Sequence, residues 1–179
     1  MKKTNLLQAL MAFVCILFAG FALASCGDDD DPETPDKTPT HAEYKYIMNV
    51  SQATLDIVNI SITYTDGNGK EQTEQVTSPT WSKTVTCKSL PANFVRTVTL
   101  TPKITPDASA KYDIVVEKYG YECKTLNAKG GTVGSRDYAS TMSSKGLKGD
   151  DLADGCARIG KNLSFPLFVS EYGDIGGNN

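Results

Sequence analysis

Histidine is the side chain that most often acts as a general base in catalysis, and this chain of 179 residues contains only one, His41. It lies where a polar, proline-containing stretch meets the first strand-like segment. The sequence contains no Gly-x-Ser-x-Gly, no His-Glu-x-x-His, no Cys-x-x-Cys and no glycine-rich phosphate loop. We therefore predict no catalytic residue, no cofactor and no metal site, and we expect that the protein is not an enzyme.

Carboxylates keep two other chemistries open. Glycoside hydrolysis needs two acids at a suitable separation, so a small hydrolase is the last of our alternatives. Clustered carboxylate and amide oxygens can also bind calcium. Such clusters occur at Asp66, Asn68 and Glu71, and at Asp150, Asp151 and Asp154. Neither follows a complete calcium-loop pattern, and Asp66-Gly67-Asn68-Gly69 is a typical hairpin turn.

The N-terminus has the organisation of a secretory signal. Lys2 and Lys3 precede an apolar run from Leu6 to Leu23, and small residues then lead to Cys26. The run of about 18 residues is just long enough for an uncut membrane-spanning helix, which is the alternative interpretation. In both cases the two lysines stay in the cytoplasm and the rest of the chain is exported.

The tetrapeptide Leu23-Ala24-Ser25-Cys26 resembles the lipobox of bacterial lipoproteins. This resemblance implies cleavage before Cys26 and a lipid anchor on its sulfur. The run Asp28 to Asp31 that follows resembles the surface-export signal of Bacteroidetes-type lipoproteins. It implies an outer-membrane protein that faces the cell exterior, and the membrane becomes a partner through the lipid. The rest of the chain resembles no family that we recognise.

Composition divides the chain into a signal peptide (1–25), a lipidated, acidic, Pro/Thr-rich tether (26–41) and one domain (42–179). Without Lys2 and Lys3 the formal charge of the chain is −5, and the stretch 27–40 carries all of it. The remaining domain is formally neutral. Strong attraction to nucleic acid needs clustered positive charge, so no nucleic-acid partner is expected.

The sequence of the domain is typical of β-strands. Tyr44, Tyr46, Met48 and Val50 alternate with less apolar residues, which is the period of a half-buried strand. Phe94, Val98 and Leu100 share a face on which Arg96 is the odd member. About seven such segments without a convincing long amphipathic helix predict an all-β fold. We expect an antiparallel, immunoglobulin-like β-sandwich, with a small β-barrel as the alternative.

One segment, between Asn127 and Gly155, interrupts this pattern with repeated glycines and scattered apolar residues. We interpret it as one long Gly-rich loop, because long loops in compact domains often carry binding residues. Arg136, Tyr138 and Met142 are the candidate ligand contacts. A loop without a binding role is the alternative.

Cysteine pairing bears on the same segment. Cys15 leaves with the signal and Cys26 carries lipid, so three thiols remain in a compartment where disulfides form. We predict a bridge between Cys123 and Cys156, which would close a loop of about 33 residues and stabilise the fold by roughly 3–4 kcal/mol. Cys87 is then a buried free thiol. A Cys87–Cys123 bridge is the competing possibility.

Taken together, these patterns indicate an anchored, exported domain with a non-catalytic binding role, whose ligand is a glycan, a peptide or a protein. The alternative is a structural or assembly subunit of an envelope complex or fimbria-like filament. An unpaired edge strand would favour that alternative. Pro166 in the last predicted strand cannot donate to a ladder, so we place that strand at an edge.

Overall fold

The computed structural model describes residues 36–177. The signal peptide, Cys26, the Asp28–Asp31 run and most of the tether lie outside the described residues, so the predictions made for them remain predictions.

Two open antiparallel sheets pack face to face in the described residues, which confirms the β-sandwich and excludes the closed barrel there. The four-stranded sheet has the order β4-β1-β6-β7 and the five-stranded sheet the order β3-β2-β5-β8-β9. The strands are β1 His41–Val50, β2 Val58–Thr65, β3 Glu71–Gln75, β4 Thr80–Cys87, β5 Ala92–Pro102, β6 Lys111–Leu126, β7 Thr132–Lys148, β8 Phe165–Val169 and β9 Ile175–Gly177. The helices are α1 Gln52–Ile57 and α2 Leu152–Leu163, and Gly149–Asp151 forms a 3-10 turn before α2.

Alternating side chains of both sheets form the core, as the strand periodicity predicts. Tyr44, Tyr46 and Met48 of β1 are fully buried, and Tyr44 stacks on Phe94 of β5 with ring centroids 4.7 Å apart. The hairpin between β2 and β3 is also confirmed. Its Asp66 carboxylate accepts hydrogen bonds from the backbone amides of Asn68 and Lys70, at 2.8 and 3.0 Å.

The predicted long loop is wrong. Residues Thr132–Lys148 form β7, which pairs with β6 along most of its length, and α2 follows. β7 is an edge strand, and its inward side chains include Arg136 and Ser140, so the apolar alternation that identifies a strand is missing. The helix went undetected because Gly155 and Gly160 interrupt its apolar face, which consists of Leu152, Cys156, Ile159 and Leu163.

Two further expectations need correction. The described residues contain nine strands rather than about seven. Strand β8 is not an edge, because β9 covers it from Leu167 to Val169. Pro166 lies just outside that register, so its missing amide proton leaves the β8–β9 ladder intact.

Helix α2 fills the space between the two sheets at one open side of the sandwich. Its two buried glycines allow the close approach: a Cβ added to Gly160 would lie 2.6 Å from the carbonyl oxygen of Val98 on β5. A Cβ added to Gly155 would lie 2.6 Å from Cδ1 of Leu147 on β7. The helix therefore determines how far apart β5 and β7 are held. Neither helix of residues 36–177 is long and apolar enough to cross a membrane.

Candidate functional site

A cleft of about 390 Å³ opens between the two sheets, beside the C-terminal end of α2. We call it the inter-sheet cleft. Its volume lies in the range of small-molecule binding sites. It is lined by residues of β6, β7, β8 and β9 and by the end of α2: Tyr119, Tyr121, Arg136, Asp137, Tyr138, Asn162, Ser164, Phe165, Pro166, Leu167 and Gly177.

Four aromatic rings form the interior of the inter-sheet cleft. Tyr119 and Tyr121 share the inward face of β6, and the register places Tyr138 of β7 opposite Tyr121. Phe165 reaches them from β8 in the other sheet, with its ring centroid 5.5 Å from that of Tyr121. Tyr138 lies 6.0 Å from both Tyr119 and Tyr121 and remains 41% exposed. The cleft thus presents aromatic surface to a ligand.

Polar groups lie beside the rings of the cleft, and one of them connects the two sheets. Nη1 of Arg136 on β7 donates to the carbonyl of Ile175 on β9 at 3.0 Å. The hydroxyls of Tyr119 and Tyr138 lie 3.5 Å apart. Burial raises the pKa of Tyr119, while the hydrogen bond with Tyr119 lowers the pKa of Tyr138. These groups can hydrogen-bond a ligand that rests on the rings.

A buried arginine lies directly behind the rings. Arg96 of β5 is fully buried, and its guanidinium carbon Cζ is 4.3 Å from the ring centroid of Phe165 and 5.9 Å from that of Tyr119. Its Nε donates to the carbonyl of Leu163 at the end of α2 (3.1 Å). Its Nη1 donates to the carbonyls of Ile47 (3.0 Å) and Gly120 (3.1 Å) in the opposite sheet. Arg96 therefore ties both sheets to α2.

Arg96 has no carboxylate partner in the part of the chain that the structure describes. The ion pairs found there join Lys45 to Glu122 and Lys83 to Glu74. Burial lowers the pKa of Arg96 to about 10, so the side chain remains charged at neutral pH. Within residues 36–177, its Nη2 and the hydroxyl of Tyr44 are the buried side-chain polar atoms without a hydrogen-bond partner. The core thus holds one positive charge that has no negatively charged partner beside it.

The structure brings together two of the three residues that the sequence selected as ligand contacts. Arg136 and Tyr138 line the inter-sheet cleft, although they stand on a strand rather than a loop. Met142 lies farther along β7, where it packs against the core opposite Val116. Their role in binding stays a prediction.

Sequence reasoning missed Tyr119, Tyr121 and Phe165 as cleft residues, because at strand spacing they are indistinguishable from ordinary core aromatics. Arg96 did leave a signal: it shares the buried face of Phe94 and Val98, where an arginine is out of place. No sequence pattern showed that these four residues meet, because they come from three strands of two sheets.

The three thiols of the described residues are free in the structure, so the predicted Cys123–Cys156 bridge is absent from it. Both of these cysteines are buried, Cys123 on β6 and Cys156 on α2. Burial raises the pKa of Cys123 to about 12 and also raises that of Cys156. Cys87 is half-buried rather than buried. Its Sγ lies 3.2 Å from the carbonyl of Ser89.

We also examined the described residues for a second binding cavity and for a metal site. A depression of about 420 Å³ involves the outer face of β6 and β7, but charges of both signs line it, including Lys118, Glu122, Lys124 and Asp137. No group of three or more His, Cys, Asp or Glu side chains within the described range could hold a metal ion. Arg96, a buried charge without a carboxylate partner, lies behind the rings of the inter-sheet cleft.

Comparison with known proteins adds no relative. No protein family matches the sequence, and no curated protein matches it significantly.

Proposed function

We propose that the protein is a lipid-anchored lipoprotein of the bacterial outer membrane, exposed at the cell surface, whose β-sandwich binds a ligand without chemical conversion. The ligand is a glycan, a peptide or part of a protein, and it binds in the inter-sheet cleft. The anchor part of the proposal rests on the Leu23-Ala24-Ser25-Cys26 motif and the aspartate run, and the binding part rests on the cleft.

The observation that carries the binding proposal is the convergence of four rings from two sheets in one open cavity. Most aromatic residues of a sandwich fill the core, but Tyr138 is 41% exposed and Arg136 and Asn162 stand beside it. Rings with adjacent hydrogen-bonding groups suit the apolar faces and hydroxyls of sugars, or the side chains and amides of peptides. The arrangement offers recognition and contains no identifiable nucleophile–base pair.

A binding screen tests this part directly. The full chain, purified in a non-ionic detergent, is applied to arrays of glycans and peptides, beside the variants Tyr138→Ala and Tyr172→Ala. Tyr172 is 76% exposed and lies outside the cleft, so it is the matched control. We expect Tyr138→Ala to weaken binding of any hit about tenfold, from the loss of ring contact, and Tyr172→Ala to leave it unchanged. Equal effects of the two variants would contradict the cleft as the site.

The anchor is tested separately. In cells given a fatty-acid probe, Cys26→Ser should abolish labelling, because the lipid is attached to its sulfur, whereas the control Cys87→Ser should keep it. Labelling of the Cys26→Ser protein would contradict lipidation. Replacing Asp28 to Asp31 with alanine should leave the lipid in place but reduce cleavage by protease added to intact cells. Unchanged cleavage would contradict the export role of the run.

An assembly role is the second candidate, and one observation favours it. Strand β7 spans 17 residues and has a sheet partner, β6, on one side only. An extended segment of another subunit can add to such an edge through main-chain hydrogen bonds. Replacing Thr141, an exposed residue of β7 outside the cleft, with proline should disturb this edge while leaving ligand binding in the cleft measurable. Unchanged co-purification of envelope proteins would contradict the assembly role.

A further inference from the structure

We propose that the ligand of the inter-sheet cleft carries a carboxylate on a ring, and that the buried guanidinium of Arg96 supplies the positive charge that selects it. The inference rests on the proposed binding function and adds the chemical class of the ligand.

Arg96 has no carboxylate beside it in the described residues. A charged side chain that is removed from water is normally paired with an opposite charge, because burial of an isolated charge is very unfavourable. Arg96 has three backbone carbonyls as partners, and Nη2 has none. The carbonyl of Leu163 belongs to the negative end of α2 and offsets part of the charge. The remainder is available to an anion from outside.

The guanidinium of Arg96 lies close behind the wall of the inter-sheet cleft. The Phe165 and Tyr119 rings that lie on the guanidinium are also cleft-lining rings, so one layer of side chains separates the charge from the cavity. Such a layer has a low dielectric constant and screens the charge weakly. A carboxylate about 8 Å from Cζ, at an effective dielectric constant of about 20 and partly exposed to water, would gain roughly tenfold in affinity.

The charged side chains around the cleft have a net positive charge. The charged side chains that line the cleft are Arg136 and Asp137. Asp137 is opposite Glu122 in the register of β6 and β7. The formal charges of Arg136, Asp137 and the buried Arg96 sum to +1. A singly charged carboxylate matches this balance, whereas a phosphate dianion would exceed it.

The size and the aromatic lining of the cleft limit the shape of the ligand. The four rings favour a ligand with a flat or apolar face, and about 390 Å³ holds one or two rings. Two sources share this chemistry, an acidic sugar and an aromatic acid. They differ in hydroxyl groups, so a direct comparison separates them.

The test compares each acid with its neutral amide, which has nearly the same shape. The full chain in non-ionic detergent is titrated in ligand-observed NMR with glucuronate and glucuronamide, and with benzoate and benzamide. We expect the acid to bind about tenfold more tightly than the amide in the pair that fits the cleft. The preference should largely persist in 0.5 M KCl, because a buried charge is screened less than an exposed one.

Variants assign the preference. In Arg96→Met the ratio between acid and amide should fall to near one, and in Arg96→Lys it should be retained. Arg136→Gln should reduce the ratio by less than Arg96→Met does. Arg158→Gln is the control, because Arg158 is an exposed arginine of α2 outside the cleft, and should not change it. If Arg96→Met does not fold, the salt dependence and the Arg136→Gln ratio decide.

The outcomes separate the two proposals. Equal affinity of acid and amide overturns the role of Arg96 and leaves the binding function intact. A preference that disappears in salt or in Arg136→Gln also overturns it, because the selecting charge is then at the surface. If neither acid binds, the carboxylate inference is overturned, and a neutral hit on the arrays would still support the binding function.

Discussion

The two open sides of the sandwich are closed in different ways. On the side of β3 and β4, Glu74 connects the sheets: its carboxylate accepts from Lys83 Nζ (2.7 Å), Tyr64 Oη (2.8 Å) and Trp81 Nε1 (3.1 Å). On the side of β7 and β9, α2 lies between the sheets and the inter-sheet cleft remains open. We call these the Glu74 side and the cleft side.

The difference lies in which polar groups are satisfied. On the Glu74 side, a half-exposed carboxylate meets three donors, and a positive charge lies beside a negative one. On the cleft side, a fully buried positive charge meets only carbonyl groups and retains a free donor. For stability alone, a paired charge like that on the Glu74 side would be sufficient on both sides. This contrast is the reason for our proposal that the cleft side binds a ligand, and five predictions test it.

The largest expected effect comes from Arg96→Met. This change leaves the carbonyls of Ile47, Gly120 and Leu163 without their donor, so we expect the free energy of unfolding to fall by about 4 kcal/mol. Urea denaturation of the variant and of the control Arg158→Met measures it. A loss below about 1 kcal/mol would mean that removing the buried charge compensates for the lost bonds, and that the charge is retained for a purpose other than stability.

Alkaline pH should destabilise the fold next. Burial raises the pKa of Tyr44 and Tyr46 well above their usual value of 10.0, so the unfolded chain releases these protons first. Stability is therefore present below pH 10 and decreases above it, by about 1.4 kcal/mol per pH unit for each tyrosine. The lowered pKa of Arg96 acts in the opposite direction between about 10 and 12.5, but burial also raises the pKa of the Cys123 thiol to about 12, which adds to the loss of stability above pH 9.

Urea titrations between pH 9 and 11.5 follow this loss. Tyr44→Phe should make the loss of stability with pH less steep, since it removes one of the groups whose raised pKa causes that loss. Stability that is independent of pH in this range would show that these hydroxyls are less buried than the structure places them.

Gly160→Ala tests the packing of α2 on the cleft side. The added Cβ would lie 2.6 Å from the Val98 carbonyl, so the helix must move away from β5. We expect a loss of about 2 kcal/mol, typical of overpacking, and weaker ligand binding because Asn162 and Ser164 shift with the helix. Lys161→Ala, on the exposed face of the same helix, is the control. A neutral effect of Gly160→Ala would argue against the close contact.

Glu74→Ala tests the other side. It removes the acceptor of three donors at a half-exposed site, so we expect a loss of about 1–2 kcal/mol and no change in ligand binding. Glu74→Gln, which keeps a carbonyl acceptor but not the charge, should lose less. Thermal denaturation and the array screen measure the two quantities. Reduced binding in the alanine variant would show that the two sides are coupled, and the comparison would fail.

The smallest effect concerns the thiols. Cys87 is half-buried, whereas Cys123 and Cys156 are buried and have raised pKa values, which suppress the reactive thiolate. Iodoacetamide should therefore modify Cys87 alone in the folded protein and all three after unfolding, without a change in stability. Peptide mapping without reduction decides the pairing. A Cys123–Cys156 peptide would show that the bridge forms in the protein made by cells.

Much of the fold was accessible from local patterns, and the exceptions share a cause. β1 and β5 bury one face against the opposite sheet, so their apolar residues alternate and the sequence shows it. β7 lies at an edge and places Arg136 and Ser140 on its inward face, so the same alternation is absent. Helix α2 carries glycines where its neighbours come closest, and this lowers the helical signal at its most buried face.

Two properties that depend on neighbouring residues were predicted from the sequence and are confirmed: the hairpin at Asp66, and the placement of Arg96 on a buried face. The export signal and the acidic tether also follow from local patterns, and they remain predictions. Tertiary structure alone decided the site. Tyr119, Tyr138 and Phe165 belong to three strands, and they meet because the sheets pack and α2 holds their edges apart. Whether a buried arginine is paired depends on what the opposite sheet presents to it. That partner is distant in sequence, so no local pattern reveals it.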